Sequence, residues 1–211
     1  MIKRWKESLA VLITVSFFIV VSFLTNKYGY SLRLFVDNFD WYFGVIIYFV
    51  ISIFAFVFAP LNSVALVPVA VSLWGPLNAG IVVHLAGTVG CVITYALSAT
   101  YGLPFVKRFI SDEDIYKYQK FIPTKNKFGT LVVLNVFLPG DILGYVLGIF
   151  LKISYPAYAL AFFIGNLPFT FGIIFATTLS WQYQLLLGLI LALAVFFGVS
   201  KIGEKISVRK N

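Results

Sequence analysis

The chain has 211 residues, of which 61% are hydrophobic and 11% charged, and its formal net charge is +8. Globular domains of ordinary composition run nearer about 45–50% apolar and about 25% charged, so a soluble domain of any size is excluded. The cations sit in short segments beside apolar runs, where they set orientation in a bilayer, and no nucleic-acid partner is expected.

In chain order, Lys3, Arg4 and Lys6 precede an apolar run, residues 8–24. It lacks a small-residue cleavage site before "TNKYGY" and is read as a retained first span and not a secretory signal. Residues 25–40 net zero charge, residues 101–128 carry six cations against three acids, Lys152 stands alone, and the tail 201–211 is basic again. The positive-inside rule puts the basic segments on the cytoplasmic side and residues 25–40 outside. Residues 8–24, 77–100, 154–180 and 184–200 then serve as four full spans, with both termini cytoplasmic. The two remaining apolar stretches, 41–76 and 129–151, must each begin and end on one side.

Length limits their depth. At about 1.5 Å per residue, residues 129–151 cannot cross a core of about 30 Å twice. They are expected to form a re-entrant hairpin from the cytoplasm, and 41–76 one from outside. Trp41, Trp74 and Trp181 fall at the expected outer boundaries and Trp5 at the inner one, as interfacial aromatics do. The expected fold is all-α: one polytopic helical membrane domain, residues 1–211, with two opposed hairpins like an inverted repeat.

Helix breaks at membrane depth survive only when buried in protein or lining a wet cavity. Pro60 and Pro68 in the first hairpin, and Pro139 with Gly140 in the second, are the expected breaks. Polar residues accompany them: Asn62 and Ser63, then Asn135 and Asp141. A weak echo links the halves, since Pro60 and Pro139 lie 79 apart, and Gly87 and Gly165 lie 78 apart. Opposed breaks meeting near the midplane are a transporter pattern.

Asp141 has three readings. As an intramembrane acid it is a proton or headgroup site. As an N-cap it accepts the amides of a helix starting at Ile142. At a shallow position it is simply solvated. His84 is the only histidine, so it makes no metal site. It is either a packed, hydrogen-bonded core residue or a proton relay with Asn62 or Asp141. Ala86, Gly90, Thr94 and Ser98 recur at steps of four, a stripe for close helix approach that seats the fourth-span region or a second copy. Within 101–128, Ser111 and Asp114 resemble a capping box, and Ile115, Tyr118 and Ile122 share one face. A short interfacial helix ended by Pro123 is set against a solvated loop.

The segments "APLNSVALVPVAVSLWGPLNAGIVVHLAGTVGCVITYALSATYG" (59–102) and "FLPGDILGYVLGIFLKISYPAYALAFFIGNLPFTFG" (137–172) resemble the DedA/SNARE-associated Golgi protein superfamily, the VTT-domain proteins. The resemblance implies lipid handling, since members scramble phospholipids or carry polyprenyl phosphates across membranes. Two family arginines are missing, with Ala99 and Val133 in their places. The Pro-Gly-Glu of many members reads Pro60-Leu61-Asn62 here, so a mechanism built on those groups does not carry over.

No hydrolase set, metal-ligand spacing or phosphate-cradling Gly-Lys motif is present, so neither an enzyme nor a cofactor is expected. The expected function is movement of a phospholipid or polyprenyl-phosphate-type lipid between leaflets, passive or proton-linked. The alternatives are a small-solute or ion transporter and a non-transporting scaffold. Membrane lipids are the expected partners and the cell membrane the expected location; a homo-oligomer stays open.

Overall fold

The computed structural model describes residues 2–36, 41–58, 63–119, 122, 127–137, 140–180, 182–184 and 186, with the backbone alone at 2–15, 32, 35, 36, 63, 65, 114, 117, 118, 137 and 141. Among the described residues the chain is helical, without strands. The helices are α1 (Ile2–Val36), α2 (Trp41–Val57), α3 (Val67–Val106), α4 (Asp112–Gln119), α5 (Lys127–Phe137), α6 (Gly140–Phe150) and α7 (Tyr155–Thr178), with a 3-10 turn at Ser63–Leu66. In hydrocarbon every backbone donor must be satisfied inside the segment, and a helix does this locally. Two helices, α3 and α7, are long and apolar enough to cross a membrane.

Glycine and proline cut α3 into three pieces. Gly75 (φ 74°, ψ 168°) and Gly102 (φ 66°, ψ −161°) leave the helical region for conformations that are costly with a Cβ. Pro76 follows directly and itself disfavours helical geometry at Gly75. The carbonyls stranded by this break find other donors: Asn78 Nδ2 reaches Trp74 O at 3.3 Å and an Arg33 guanidinium nitrogen reaches Leu73 O at 3.2 Å. The middle piece, 76–101, is about 39 Å long and α7 about 36 Å, each exceeding a core of about 30 Å. Helices α5 and α6, with 11 residues each, are about 16 Å long and cover half of it.

Side-chain contacts give the directions. Along α3 and α7, Tyr95 stacks on Tyr158, His84 reaches Phe163 and Thr170, and Gly80 faces Phe171. The two helices are therefore antiparallel. On α6, Gly140, Gly144 and Gly148 meet Cys91, Thr94 and Ser98 in that order, so α6 runs parallel to α3. On α5, Lys127 Nζ donates to Lys152 O at 3.3 Å while Val132 and Asn135 lie against Gly165, so α5 runs parallel to α7. Hence α5 and α6 run in opposite directions, with Lys127 at the start of α5 beside Lys152 just after α6.

The earlier pair repeats this plan. Tyr48 on α2 packs edge-on against Trp74 (5.4 Å) and joins a buried cluster with Ala79 and Val82. Further along α2, Phe56 meets Gly87 and Gly90. Helix α2 thus runs parallel to piece 76–101, and piece 67–74 returns to the level of Tyr48. The end of α2 and the start of α6 both come to the level of Gly90 and Cys91, near the middle of piece 76–101. The equivalence extends to contacts: Gly87 faces Phe56 and Gly165 faces Asn135, offsets of 78 and 79 positions in the chain.

Some expectations need adjusting. Residues 25–36 continue α1 as unbroken helix and do not form a loop. Pro68 is no break: it is buried in the first turn of α3, where the missing N–H costs nothing. On α4, Ile115 is buried with Val106, Ile110 and Tyr145 and Ile122 packs half-buried against the central cluster, so this face meets protein. Ile115 N bonds Ser111 O at 3.0 Å, and Lys107 pairs with Asp112 at 2.9 Å. That hydrogen bond and the carboxylate charge hold the Lys107 ammonium above its ordinary pKa. Residues 187–200, most of the expected last span, lie outside the described residues.

Candidate functional site

The two turns converge on one junction. Tyr145, fully buried on α6, donates its hydroxyl to the carbonyl of Val57 in the last turn of α2. That carbonyl belongs to the group a helix leaves unpaired at its C-terminus, so one side chain ties the second hairpin to the break of the first. Around it, Phe109 stacks on Tyr145 at 5.7 Å and meets Phe58 edge-on at 5.9 Å. Phe56 and Phe162 close the other side at 6.4 Å.

Gly140 opens α6 under tight constraint. A Cβ there would collide with the Phe162 ring, and the Gly140 carbonyl accepts from Cys91 Sγ at 3.2 Å. Cys91 Sγ also lies 2.9 Å from the Tyr158 hydroxyl. Because α6 starts at Gly140, Asp141 is already its second residue, and the N-cap of a helix starting at Ile142 is not what forms. An acid in the first turn still complements the positive end of the helix dipole. The Asp141 and Ser63 side chains, and Pro60, Asn62 and Pro139 altogether, lie outside the described residues.

Asn135 is the clearest polar anomaly at this level. It is 1% exposed, and its Nδ2 bonds Leu131 O one turn back at 2.8 Å. Its Oδ1 has no hydrogen-bond partner. Gly165 on α7 admits it, because a Cβ there would press on Val132 O and on Asn135 Cβ at 2.8 Å.

His84 serves helix packing. Pro168 removes an amide from α7 and loosens the ladder one turn earlier, and His84 Nε2 lies 2.9 Å from Phe163 O in that turn. A carbonyl only accepts, so Nε2 carries the proton. Nδ1, 3.1 Å from Thr170 Oγ1, accepts in a neutral ring, and Asn166 Nδ2 donates to the same hydroxyl at 3.1 Å. Both ring nitrogens are thereby engaged; Asn62 and the Asp141 side chain, the expected relay partners, lie outside the described residues.

Ala86, Gly90, Thr94 and Ser98 are all buried. Gly90 receives Phe56 of α2, whereas Thr94 and Ser98 receive α6. Their hydroxyls return to their own helix, Thr94 to Cys91 O at 2.8 Å and Ser98 to Tyr95 O at 2.9 Å. The matching stripe, Gly140, Gly144 and Gly148, escaped the sequence reading although its spacing of four was visible. Tyr145, and Cys91 with Tyr158, were missed for lack of any local signal.

Two cavities flank the junction at opposite ends of α7. One, of about 310 Å³, includes Ser72, Thr177 and Arg33. The other, of about 510 Å³, includes Ala99, Tyr155 and Lys152, so the position where the family arginine would stand shares a cavity with a lysine. Tyr95 braces that wall, donating to Leu151 O at 2.8 Å and accepting from Ile153 N at 3.2 Å. Val133, at the other arginine position, is exposed on α5. Among the described residues no cluster of metal-ligating side chains occurs.

Two antiparallel helices long and apolar enough to cross a membrane, flanked by shorter apolar helices, fit a helical membrane protein. The VTT domain model matches residues 59–179, more than half of the chain. The chain belongs to the VTT-domain family, as the resemblance of its hairpin segments implied. The match opens two residues after α2 and closes one residue beyond α7, leaving α1 and α2 outside it. Neither the comparison with curated proteins nor that with solved structures finds a match.

Proposed function

We propose that this protein moves an amphipathic lipid, a phospholipid or a polyprenyl-phosphate-type carrier, between bilayer leaflets. In this reading α2 with piece 67–74, and α5 with α6, are re-entrant hairpins entering from outside and from the cytoplasm. The basic segments and both termini lie on the cytoplasmic side of the cell membrane. The observation that carries the reading is the convergence of both turns at mid-level of piece 76–101, where Tyr145 bonds Val57 O and Asn135 Oδ1 has no partner. Broken backbone and unsatisfied polar atoms at that depth are supported only beside protein or water. They offer a headgroup a short polar crossing while its tails stay in lipid. The two cavities, one at each end of α7 and each with one cation, supply an anionic headgroup with a docking place near either leaflet.

Asp141 is the proposed proton or headgroup site, and the proposal involves no enzymatic step. The test is exchange of a fluorescent lipid between leaflets in vesicles containing the purified protein. Wild type accelerates exchange, and Asp141→Asn folds normally but loses most of it. No exchange by wild type leaves a solute transporter or a scaffold, and an imposed proton gradient separates coupled from passive movement.

A further inference from the structure

Helix α1 carries a polar face that apolar packing does not explain. Ser22, Asn26, Gly29 and Arg33 recur at helical spacing and line the cleft of about 310 Å³ whose far wall holds Ser72 and Thr177. Gly29 keeps it open toward Ser72, since a Cβ there would lie 2.6 Å from Ser72 Oγ. No acid lines it. Ser22 is 2% exposed, and its Oγ has no hydrogen-bond partner. A buried hydroxyl in apolar surroundings is costly unless something bonds it. Across the cleft, Arg33 gives one N–H to Leu73 O at 3.2 Å, and a guanidinium has five in a fork that matches a phosphate. The volume lies at the lower end of the range of about 300–1,000 Å³ usual for ligand sites.

We infer that this cleft binds a phosphate group, with Arg33 as its charge partner and Asn26 and Ser72 as neutral hydrogen-bonding groups; Ser22, about 16 Å from Arg33 along α1, lines the deeper end of the cleft. The phosphate is either a lipid headgroup or a free ion. Its lipid form rests on the leaflet-transfer reading; the cleft itself does not. Its whole α1 wall precedes the matched domain, so the site is one that α1 adds to the two hairpins.

The test uses the purified full chain in neutral detergent, with native mass spectrometry of bound dioleoyl phosphatidic acid. Dioleoylglycerol, which lacks the phosphate, is the control, and inorganic phosphate is the competitor. Wild type retains phosphatidic acid and not dioleoylglycerol. Arg33→Gln and Asn26→Leu, both at exposed positions, weaken retention about tenfold or more, the loss expected for a charge-assisted bond, and Arg33→Lys is intermediate. Asp37→Asn, removing the acid four positions after Arg33, keeps binding. Competition by millimolar inorganic phosphate identifies free phosphate as a second ligand; lack of it assigns the site to lipid. Retention by Arg33→Gln within twofold of wild type, equal retention of dioleoylglycerol, or loss in Asp37→Asn overturns the inference. Vesicles in which wild type exchanges no lipid defeat the leaflet-transfer reading while Arg33-dependent retention stands, so the two failures are distinguishable.

Discussion

Replacing Gly148 with alanine tests the α3–α6 contact at its tightest point. A Cβ there would run into Ser98 Oγ and Tyr95 O and lie 3.0 Å from Ala99 N. Ser98 Oγ can rotate away, but two of the three obstacles are backbone, so α6 must move as a body. Helix propensity favours alanine over glycine by about 1 kcal/mol. Forced overpacking costs about 1–3 kcal/mol, and lifting α6 also loosens Gly144 from Thr94. In hydrocarbon, close packing holds helices together where a hydrophobic drive is absent, so that loss is not recovered. The expected net effect is destabilisation by about 1–2 kcal/mol, roughly a 5–30-fold change in the folded ratio. Gly172→Ala is the control: it sits inside α7 with nothing within 4 Å of an added Cβ, so only the propensity gain applies. Heating each purified variant in detergent and measuring the fraction still monodisperse by size-exclusion chromatography reads the difference. Gly148→Ala melting at or above wild type, alongside a weakened Gly172→Ala, would refute the reasoning.

Gly75→Ala is expected to cost about 1–3 kcal/mol from backbone conformation alone, because open space surrounds the position and φ is +74°; the same heating assay checks it, and a neutral result would mean the α3 break is not as described. Tyr145→Phe keeps the packing and strands the Val57 carbonyl, an expected loss of about 1–3 kcal/mol, with reduced lipid exchange in vesicles. Exchange and melting both unchanged would remove the junction from the account.

Much of the architecture was legible because breaks and charges are local signals. Trp41 opens α2 where the first hairpin was expected, the Gly75–Pro76 pair interrupts α3 at the expected boundary, and α7 fills the span expected at 154–180. Residues 25–36 were expected only as an external segment after the first span, whereas they continue α1 as helix. Thr25, Asn26, Gly29 and Arg33 fall on one helical face toward piece 67–74, and that pairing exists only in three dimensions. Pro68 could not be told from a breaker until the preceding helix was known to end at Val57. The Cys91–Tyr158 contact spans 67 positions and the Tyr145–Val57 contact 88, distances over which no local pattern speaks. His84 shows the reverse case: the packed reading stood among the alternatives, and the imidazole bonds Phe163 O in the turn of α7 that Pro168 loosens.

The claim on which the rest depends is that α5 and α6 enter and leave on one face of the membrane. Single cysteines at positions 127, 152 and 33, introduced into a Cys91→Ser background and labelled in sealed oriented vesicles, measure this directly. The account predicts that 127 and 152 react from the same face, cross-link readily, and that 33 reacts only from the other. Labelling of 127 and 152 from opposite faces would make α5–α6 a broken span and contradict it.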